Sequence, residues 1–333
     1  MRFDTHVARS LLAAAMALCL LALCIGLSID PVHAAFPASE RAGMVGALGT
    51  TDAVTAAEPS TIVSDDFSTC TLNGGLWSVV DPVGDGGLRL AGGRAELSVP
   101  GGVRHDIWAG NDALRIMQAA NDTDFQVEVK FESGVQAAYA LQGILIEQDD
   151  ANFLRFDFYG DGANTRLFAA RFTNGSPSFL YNGVVAAGNA APLFLRISRV
   201  GAQWSQTYSL DGESWIQAAL FEHDLAVSAA GVFAGNAGAN PAHTAVVDYF
   251  FNTAAPIAPE DGAIAQFTLT ADAVGSGSVA ADPSRASYAC GETVNLTAAP
   301  AVDWLFDGWS GDLSIGLPGS LDWYDEIEVV VQD

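Results

Sequence analysis

Apolar and polar residues alternate along much of the stretch from residue 62 to 252. Between 124 and 131, for example, Phe125, Val127 and Val129 are separated by polar residues. The same period of two recurs in 153–159, 166–172, 193–199, 203–210, 231–234 and 244–250. An apolar residue at every second position is typical of a strand that buries one face.

Residues that favour tight turns separate these predicted strands. Gly-Asp-Gly at 160–162, Asn-Gly at 174–175 and Asp-Gly at 211–212 each follow an alternating stretch. No helical period extends beyond a turn or two in this region. A series of about a dozen strands in one block predicts an all-β domain built from two packed antiparallel sheets.

The start of the chain differs from this block. Arg2 and Arg9 precede an apolar run over 11–27, and a small-x-small site follows at 32–34. These features predict a secretory signal peptide at 1–34, with an uncleaved anchor helix as the alternative.

Three further segments are distinguished by composition. Residues 35–61 are rich in Ala, Gly, Thr and Ser, which predicts a flexible leader. Ala, Pro and acidic residues cluster before the tail, so we expect a linker at 253–266. Residues 267–333 are expected to form a smaller β-module, with Trp304 and Trp309 in its core.

The composition is strongly acidic. Asp and Glu number 39 against 14 Lys and Arg, so the formal net charge is -25. Such a surface repels nucleic acid and anionic lipid, and we expect neither as a partner. It favours divalent cations, although simple solubility explains the charge equally well. After signal cleavage no segment is long and apolar enough for membrane insertion, which predicts a secreted or cell-surface protein.

The cysteines leave two interpretations open. Cys19 and Cys24 belong to the signal peptide, whereas Cys70 and Cys290 lie in different predicted domains. The latter two form either a disulfide between domains or two unpaired, buried thiols. No cysteine spacing is typical of a zinc site.

An ordered set of motifs gives residues 62–252 a family resemblance. The set comprises Asp65-Asp66-Phe67, His105-Asp106-Ile107-Trp108, Arg115-Ile116-Met117-Gln118, Asp149-Asp150-Ala151-Asn152, Tyr208-Ser209-Leu210-Asp211-Gly212 and Val247-Asp248-Tyr249-Phe250. In this order the motifs resemble the secreted concanavalin A-like lectin/glucanase domains, including the laminin-G-like and β-xylosidase C-terminal kinds. The resemblance implies a jelly-roll sandwich.

The tail resembles a different group of proteins. Val274-Gly275-Ser276-Gly277, Gly291-Glu292 and Phe306-Asp307-Gly308-Trp309 are similar to the divergent internalin-type β-repeats of bacterial surface proteins. Such repeats serve as spacers or stalks, and this chain has a single one.

Glucanases of the sandwich family carry Glu-x-Asp-x-x-Glu on one strand, where two carboxylates flank the sugar bond. The corresponding stretch here runs from Glu147 to Asn152, and Asn152 replaces the third carboxylate. The stretch is polar and resembles a loop between strands. We therefore expect a binding module without catalytic residues.

The resemblance also implies one structural calcium ion where the first and last strands meet. The matching positions are Asp66 and Asp248, and carboxylates with backbone carbonyls are the ligands that Ca²⁺ prefers. In the alternative interpretation, Asp66 caps a turn and Asp248 is exposed.

Two groups of residues are candidates for sugar binding, because sugars present apolar ring faces and hydroxyl rims. The first group is the polar face of the inner strands: Glu128, Lys130, Arg155, Asp157, Tyr159 and Arg196. The second is the segment that holds His105, Asp106 and Trp108. The alternatives are an ordinary solvated face with ion pairs, and a Trp108 that plugs the end of the sandwich.

Three functions are therefore open. The first is a non-catalytic module that binds a polysaccharide or other glycan. The second is a purely structural or adhesive surface protein, and the third is a glycoside hydrolase or lyase on the same fold. The sequence does not predict an oligomeric state.

Overall fold

The computed structural model describes residues 61–262, 264–310 and 326–330. The predicted signal peptide, and all of the predicted leader except Thr61, lie outside the described residues. The described residues form strands, turns and loops, with no helix among them. Accordingly, this part of the chain has no helix that could cross a membrane.

The strands follow one another along the chain with short connections. In order they are β1 (Trp77–Val80), β2 (Gly87–Leu90), β3 (Ala95–Val99), β4 (Leu114–Ala119), β5 (Phe125–Phe131), β6 (Ala140–Asp149), β7 (Asn152–Gly160), β8 (Asn164–Thr173), β9 (Ser176–Ala187), β10 (Leu193–Val200), β11 (Gln203–Ser209), β12 (Ile216–Glu222), β13 (Ala229–Asn236), β14 (His243–Asn252), β15 (Gln266–Phe267), β16 (Gly277–Asp282), β17 (Tyr288–Ala289), β18 (Thr293–Pro300) and β19 (Glu326–Val330).

Two seven-stranded antiparallel sheets contain the first fourteen strands. We call the sheet with the order β1-β4-β13-β6-β7-β8-β9 the front sheet, and that with the order β12-β11-β10-β5-β14-β3-β2 the back sheet. The tail has a two-stranded sheet, β15-β17, and a three-stranded sheet, β16-β18-β19. The predicted all-β sandwich with a small all-β tail is confirmed.

The main core lies between the two sheets. The alternation in β5 points Val127, Val129 and Phe131 inward, and Phe156 and Phe158 of β7 face them from the front sheet. Phe131 and Phe158 meet edge to face with ring centroids 6.5 Å apart. Each such buried side chain stabilises the fold by about 1.5–3 kcal/mol, so this layer holds the sheets together.

The outer face of the front sheet has a second apolar cluster. Leu145 and Phe153 point away from the main core and pack with Ile107, which is fully buried. Ile107 lies in the segment 100–113, which we call the covering loop because it packs over this face. Strands β6 and β7 are therefore buried on both faces, which explains their nearly continuous apolar burial.

A disulfide joins the sandwich to the tail. Cys70, in the loop before β1, is bonded to Cys290, 220 residues further along the chain, with a Cα–Cα distance of 5.4 Å. Beside it, the Gly92 N–H donates to the Cys290 carbonyl at 2.9 Å, and the Arg89 guanidinium donates to the Gly291 carbonyl. The structure thus selects the disulfide from the two open interpretations.

The segment predicted to be a linker packs on the sandwich. Ser64 Oγ donates to the Ala255 carbonyl at 2.7 Å, and the Thr253 N–H donates to the Gln126 carbonyl at 3.0 Å. A Cβ at Gly93 would lie 2.4 Å from Asp261 Oδ1, so a larger residue there would displace the Asp261 side chain. Hydrogen bonds and close packing thus fix these parts of 253–266 against the sheets.

The core of the tail differs from the expected one. Tyr288, Val294 and Leu296 are buried, and Trp309 packs against them. Trp304 is 52% exposed, so its expected place in the core is wrong.

The disulfide gives a prediction for stability. We expect the double variant Cys70→Ser/Cys290→Ser to lose about 2–5 kcal/mol of unfolding free energy, since the bond restricts a long loop in the unfolded chain. Urea unfolding of the oxidised protein and of the variant measures the difference. Equal midpoints, with and without reductant, would contradict a stabilising disulfide.

Candidate functional site

The first group of predicted sugar-binding residues is divided between the two sheets. Arg155, Asp157 and Tyr159 lie on β7 of the front sheet, whereas Glu128 and Lys130 lie on β5 of the back sheet. Arg196 is opposite Glu128 on β10, also in the back sheet. The expectation that Arg155 and Asp157 share a face with Glu128 is therefore wrong. Alternation shows which side chains share one side of a strand, but it does not show which sheet contains the strand.

The front-sheet residues instead meet residues of the second group. A cavity of about 390 Å³ opens on the outer face of the front sheet. Its lining comprises Asp106, Trp108, Tyr139, Leu141, Arg155, Tyr159, Phe168, Asn182 and Ala237. We call this cavity the front-sheet pocket. It brings Asp106 and Trp108 of the covering loop beside Arg155 and Tyr159 of β7.

Two exposed aromatic rings flank this pocket. Trp108 is 41% exposed, and its other side packs edge to face on Phe168 and Phe172 at centroid distances of 6.0 and 6.1 Å. Tyr139 is 49% exposed and stacks parallel to Tyr159, with centroids 6.1 Å apart and planes 7° apart. Both rings offer a free face while their neighbours restrict their motion.

Tyr139 has an unusual backbone conformation. Its φ of 65° lies in the left-handed region, which is uncommon for a residue other than glycine. The Tyr139 N–H donates to the Gly160 carbonyl at 2.7 Å, and its carbonyl accepts from the Ala237 N–H at 3.0 Å. Gly238 leaves room for the ring, because a Cβ there would lie 2.7 Å from Tyr139 Cδ2. Such local strain is concentrated at functional sites.

A buried ion pair borders the same pocket. Arg155 Nε and Nη2 donate to the two carboxylate oxygens of Asp157 at 2.7 and 2.9 Å. Asp157 is fully buried, and burial raises the pKa of its carboxyl while Arg155 opposes that shift. Asp106 Oδ1 lies 3.9 Å from Arg155 Nη1. A bidentate pair of this kind fixes both side chains in one geometry.

His105 does not line the front-sheet pocket. Its ring is fully buried at the base of the covering loop, with Nε2 2.7 Å from Asp85 Oδ1 and Nδ1 3.1 Å from the Val103 carbonyl oxygen. Its backbone N–H donates to Asn236 Oδ1 at 2.9 Å. Among the three residues of the second group, His105 anchors the loop, while Asp106 and Trp108 reach the pocket.

The candidate catalytic stretch forms a hairpin. Glu147 lies within β6, so its expected place in a loop is wrong, and only the turn around Asp150 connects the strands. Asn111 Nδ2 donates to Glu147 Oε1 at 2.9 Å, Arg115 Nε lies 3.2 Å from it, and burial raises the pKa of the Glu147 carboxyl. Asn152 Nδ2 donates to Asp149 and stabilises the turn. Glu147 is not among the residues that line the front-sheet pocket.

The back-sheet residues of the first group bind one another. Glu128 accepts hydrogen bonds from Tyr249 Oη at 2.6 Å and from Arg196 Nε at 2.5 Å. The Arg196 guanidinium lies 3.6 Å from the centroid of the Trp215 ring. Lys130 Nζ donates to Asp248 Oδ2 at 2.5 Å. These contacts match the alternative of a sheet face with ion pairs.

The two predicted calcium ligands have different surroundings. Asp66 Oδ1 accepts hydrogen bonds from the Ser68 N–H and Oγ, as in the turn-capping alternative, while its buried Oδ2 has no partner. Asp248 is buried rather than exposed, and its Oδ1 also lacks a hydrogen-bond donor. Oxygen atoms of Asp248, Glu260 and Asp261 lie within 4.8 Å of one another.

These oxygens suit a hard cation. Burial is the main cause that raises the pKa of Glu260 to about 7, and repulsion from the charges of Asp248 and Asp261 adds to it. A divalent ion would relieve that repulsion, and carboxylate oxygens without donors are available to it. Lys130 and Arg94 already neutralise part of the charge on Asp248. Calcium at Asp66 and Asp248 stays a prediction.

Comparisons with known proteins find a match within the tail. Residues 267–315 match the divergent InlB B-repeat domain, so the expected relationship of the tail to bacterial surface repeats is confirmed. No curated protein sequence matches the chain.

Several solved structures are similar to the sandwich. The GH43 BlXynB protein from Bacillus licheniformis aligns with a TM-score of 0.47 and 23% identity, over 56% of this chain and 38% of that chain. A functionally unknown protein from Saccharomyces cerevisiae aligns at 0.44 and 16%, over 56% and 98%. The carbohydrate binding module CBM66 from Bacillus subtilis aligns at 0.36 and 13%, over 52% and 91%. Similarity at this level gives no information on function.

The proposed calcium site gives a prediction for thermal unfolding. Calcium at one hundred times its Kd would stabilise the protein by about 2.7 kcal/mol, which raises Tm by roughly 5–10 °C over the value in EDTA. We expect Asp248→Asn to abolish this shift, because Asp248 belongs both to the predicted ligand pair and to the group of three carboxylates, while Asp272→Asn, an exposed position in the tail, leaves it unchanged. The same Tm in calcium and in EDTA would contradict the site.

Proposed function

We propose that this chain is a non-catalytic, exported module that binds a glycan in the front-sheet pocket. The observation that carries the proposal is the pair of exposed rings, Trp108 and Tyr139, beside a rigid group of polar side chains. A sugar ring stacks its apolar face on an aromatic ring and turns its hydroxyl groups toward polar neighbours. The proposal includes the relationship of residues 62–252 to the concanavalin A-like domains that they resemble.

The two rings are held in place before any ligand arrives. Asp106 Oδ1 accepts the Trp108 N–H at 3.0 Å, which fixes the loop backbone beside the indole. Tyr159 supports Tyr139 by stacking. A preorganised site loses less conformational entropy on binding, so more of the contact energy contributes to affinity.

The polar groups of the pocket can donate hydrogen bonds to the hydroxyl groups of a sugar and accept hydrogen bonds from them. Asn182 Nδ2 lies 3.0 Å from Tyr159 Oη, so these two groups form a pair that can both donate and accept. Asp106 adds an acceptor and the Arg155 guanidinium adds donors. Donors and acceptors side by side are what a ring of hydroxyl groups requires.

An exposed ring extends the surface beyond the pocket. Phe179 on β9 is 57% exposed, and its centroid lies 6.0 Å from that of Phe168. Phe168 itself lines the pocket. The apolar surface therefore continues from Trp108 across Phe168 to Phe179, which favours a chain of sugars over a single one.

The carboxylates of this pocket do not form a catalytic pair. Asp157 is clasped by Arg155 and is fully buried, which leaves Asp106 as the accessible carboxylate among the lining residues. Most enzymes that hydrolyse a glycosidic bond use two carboxyl groups, one on each side of that bond. This arrangement supports the proposal of binding without cleavage.

A glycoside hydrolase or lyase is the second candidate, and one observation favours it. Glu147 lies on the outer face of the same sheet, and its raised pKa is typical of a general acid. Release of reducing ends or unsaturated products from a polysaccharide, lost in Glu147→Gln, would establish the enzyme and refute the proposal.

Export is supported by the bond between Cys70 and Cys290, because disulfides persist in oxidising compartments. In the same proposal, the repeat in the tail acts as a spacer that presents the sandwich at a cell surface. If the protein had a purely structural or adhesive role instead, the front-sheet pocket would bind no ligand.

Binding by the full chain to a panel of polysaccharides tests the proposal. We expect Trp108→Ala to weaken binding by about tenfold, because the stacking surface is lost. Trp304→Ala is the matched control, since Trp304 is a similarly exposed tryptophan in the tail. Failure of every polysaccharide to bind, or equal losses in the two variants, would contradict glycan binding at this pocket.

A further inference from the structure

The charges around the front-sheet pocket bear on the class of glycan. Four arginines lie on the outer face of the front sheet or in the covering loop. Each is paired with a carboxylate: Arg104 with Asp112 at 3.1 Å, Arg115 with Glu147 at 3.2 Å, Arg155 with Asp157 at 2.7 Å, and Arg166 with Asp161 at 3.2 Å. Among the described residues of this face, no guanidinium group is left without a carboxylate.

The ion pairs of these four arginines include two more carboxylates than guanidinium groups. Asp106 lies 3.9 Å from Arg155, and Asp150 lies 3.7 Å from Arg115, each in addition to that arginine's closer partner. The one lysine of the chain, Lys130, belongs to the back sheet. The local balance is therefore negative, as is the formal net charge of -25.

An acidic sugar would compete with a carboxylate for each of these guanidinium groups. A uronate or a sulfate is recognised by charge-assisted hydrogen bonds from arginine or lysine. Arg155 already donates Nε and Nη2 to the fully buried carboxylate of Asp157, so its charge is balanced before any ligand binds. This pairing reduces the attraction of Arg155 for a further carboxylate, so an anionic ligand gains little charge stabilisation from Arg155.

The carboxylate of Asp106 also disfavours an acidic ligand. Asp106 lines the pocket and would lie close to any acidic group of a bound sugar. Like charges at short range repel, and the negative surface of the whole chain adds a long-range repulsion for polyanions. Neutral hydroxyl groups carry no such penalty, and they can accept from Arg155 and donate to Asp106.

We infer that the front-sheet pocket takes a neutral glycan and rejects glycans that carry uronate or sulfate groups. This inference rests on the proposed glycan binding and names its substrate class.

The test compares neutral polymers with their oxidised forms. The full chain is titrated with a glucan, a mannan and a galactan, each beside a sample whose primary hydroxyl groups have been oxidised to carboxylates. At low salt, oxidation is expected to weaken binding by about tenfold or more, and the penalty is expected to shrink as salt screens the charges.

Two matched variants locate the effect. Asp106→Asn removes one negative charge at the pocket. It is expected to reduce severalfold the loss of affinity that oxidation of the polymer causes, which we call the oxidation penalty. Asp272→Asn removes one negative charge in the tail and is expected to leave the penalty as it is. An equal change in both variants would overturn the assignment of selectivity to the pocket.

The outcomes separate this inference from the proposed function. Oxidised polymers that bind as tightly as neutral ones, and still lose affinity in Trp108→Ala, would overturn neutral selectivity while glycan binding stands. Absence of binding by both forms of all three polymers would contradict the proposed function and the inference together.

Discussion

The covering loop packs on the outer face of the front sheet, and the wall of the pocket that holds Asp106 and Trp108 depends on that contact. Ile107 is fully buried against Leu145 and Phe153, and this anchor places Asp106 and Trp108 on either side of it. Without the loop, the apolar outer face of β6 and β7 would be exposed to water, at a cost that scales with its area. The same contact that completes the second core therefore builds one wall of the pocket.

Burial on both faces also explains the charges within the front sheet. A strand that is covered on both sides can keep an arginine or a carboxylate only if each has a close partner, because an unpaired buried charge is very costly. Arg155 with Asp157, and Arg115 with Glu147, meet this requirement. The pair of Arg155 and Asp157 gives the pocket a rigid polar border in which the charge of the arginine is already balanced by a carboxylate.

The sequence predicts the fold more completely than the site. Alternation in β5 and the turn at 174–175 are local signals, so the strands and the two-sheet sandwich follow from them. Alternation does not show that β5 and β7 belong to different sheets, and for this reason Glu128 was expected beside Arg155. Trp108 and Asp106 were among the predicted residues, since an aromatic residue beside polar ones in a turn-rich segment is a local signal too.

Tyr139, Phe168 and Asn182 were not predicted, because their contribution is non-local. Tyr139 reaches the pocket only because it adopts a left-handed backbone between β5 and β6, next to Gly238. The pairing of Cys70 with Cys290 was likewise open, since it depends on how the β2–β3 turn meets the tail. These features can be predicted only from the three-dimensional arrangement, whereas the strands can be predicted from the sequence.

Oxidative footprinting of tryptophan side chains, with and without a bound neutral polysaccharide, tests the central claim most directly. Trp108 and Trp304 are 41% and 52% exposed, so both react in the free protein and the second serves as an internal reference. If the front-sheet pocket holds the glycan, Trp108 becomes protected from oxidation while Trp304 reacts as before. Protection of Trp304 with no change at Trp108 would contradict the account.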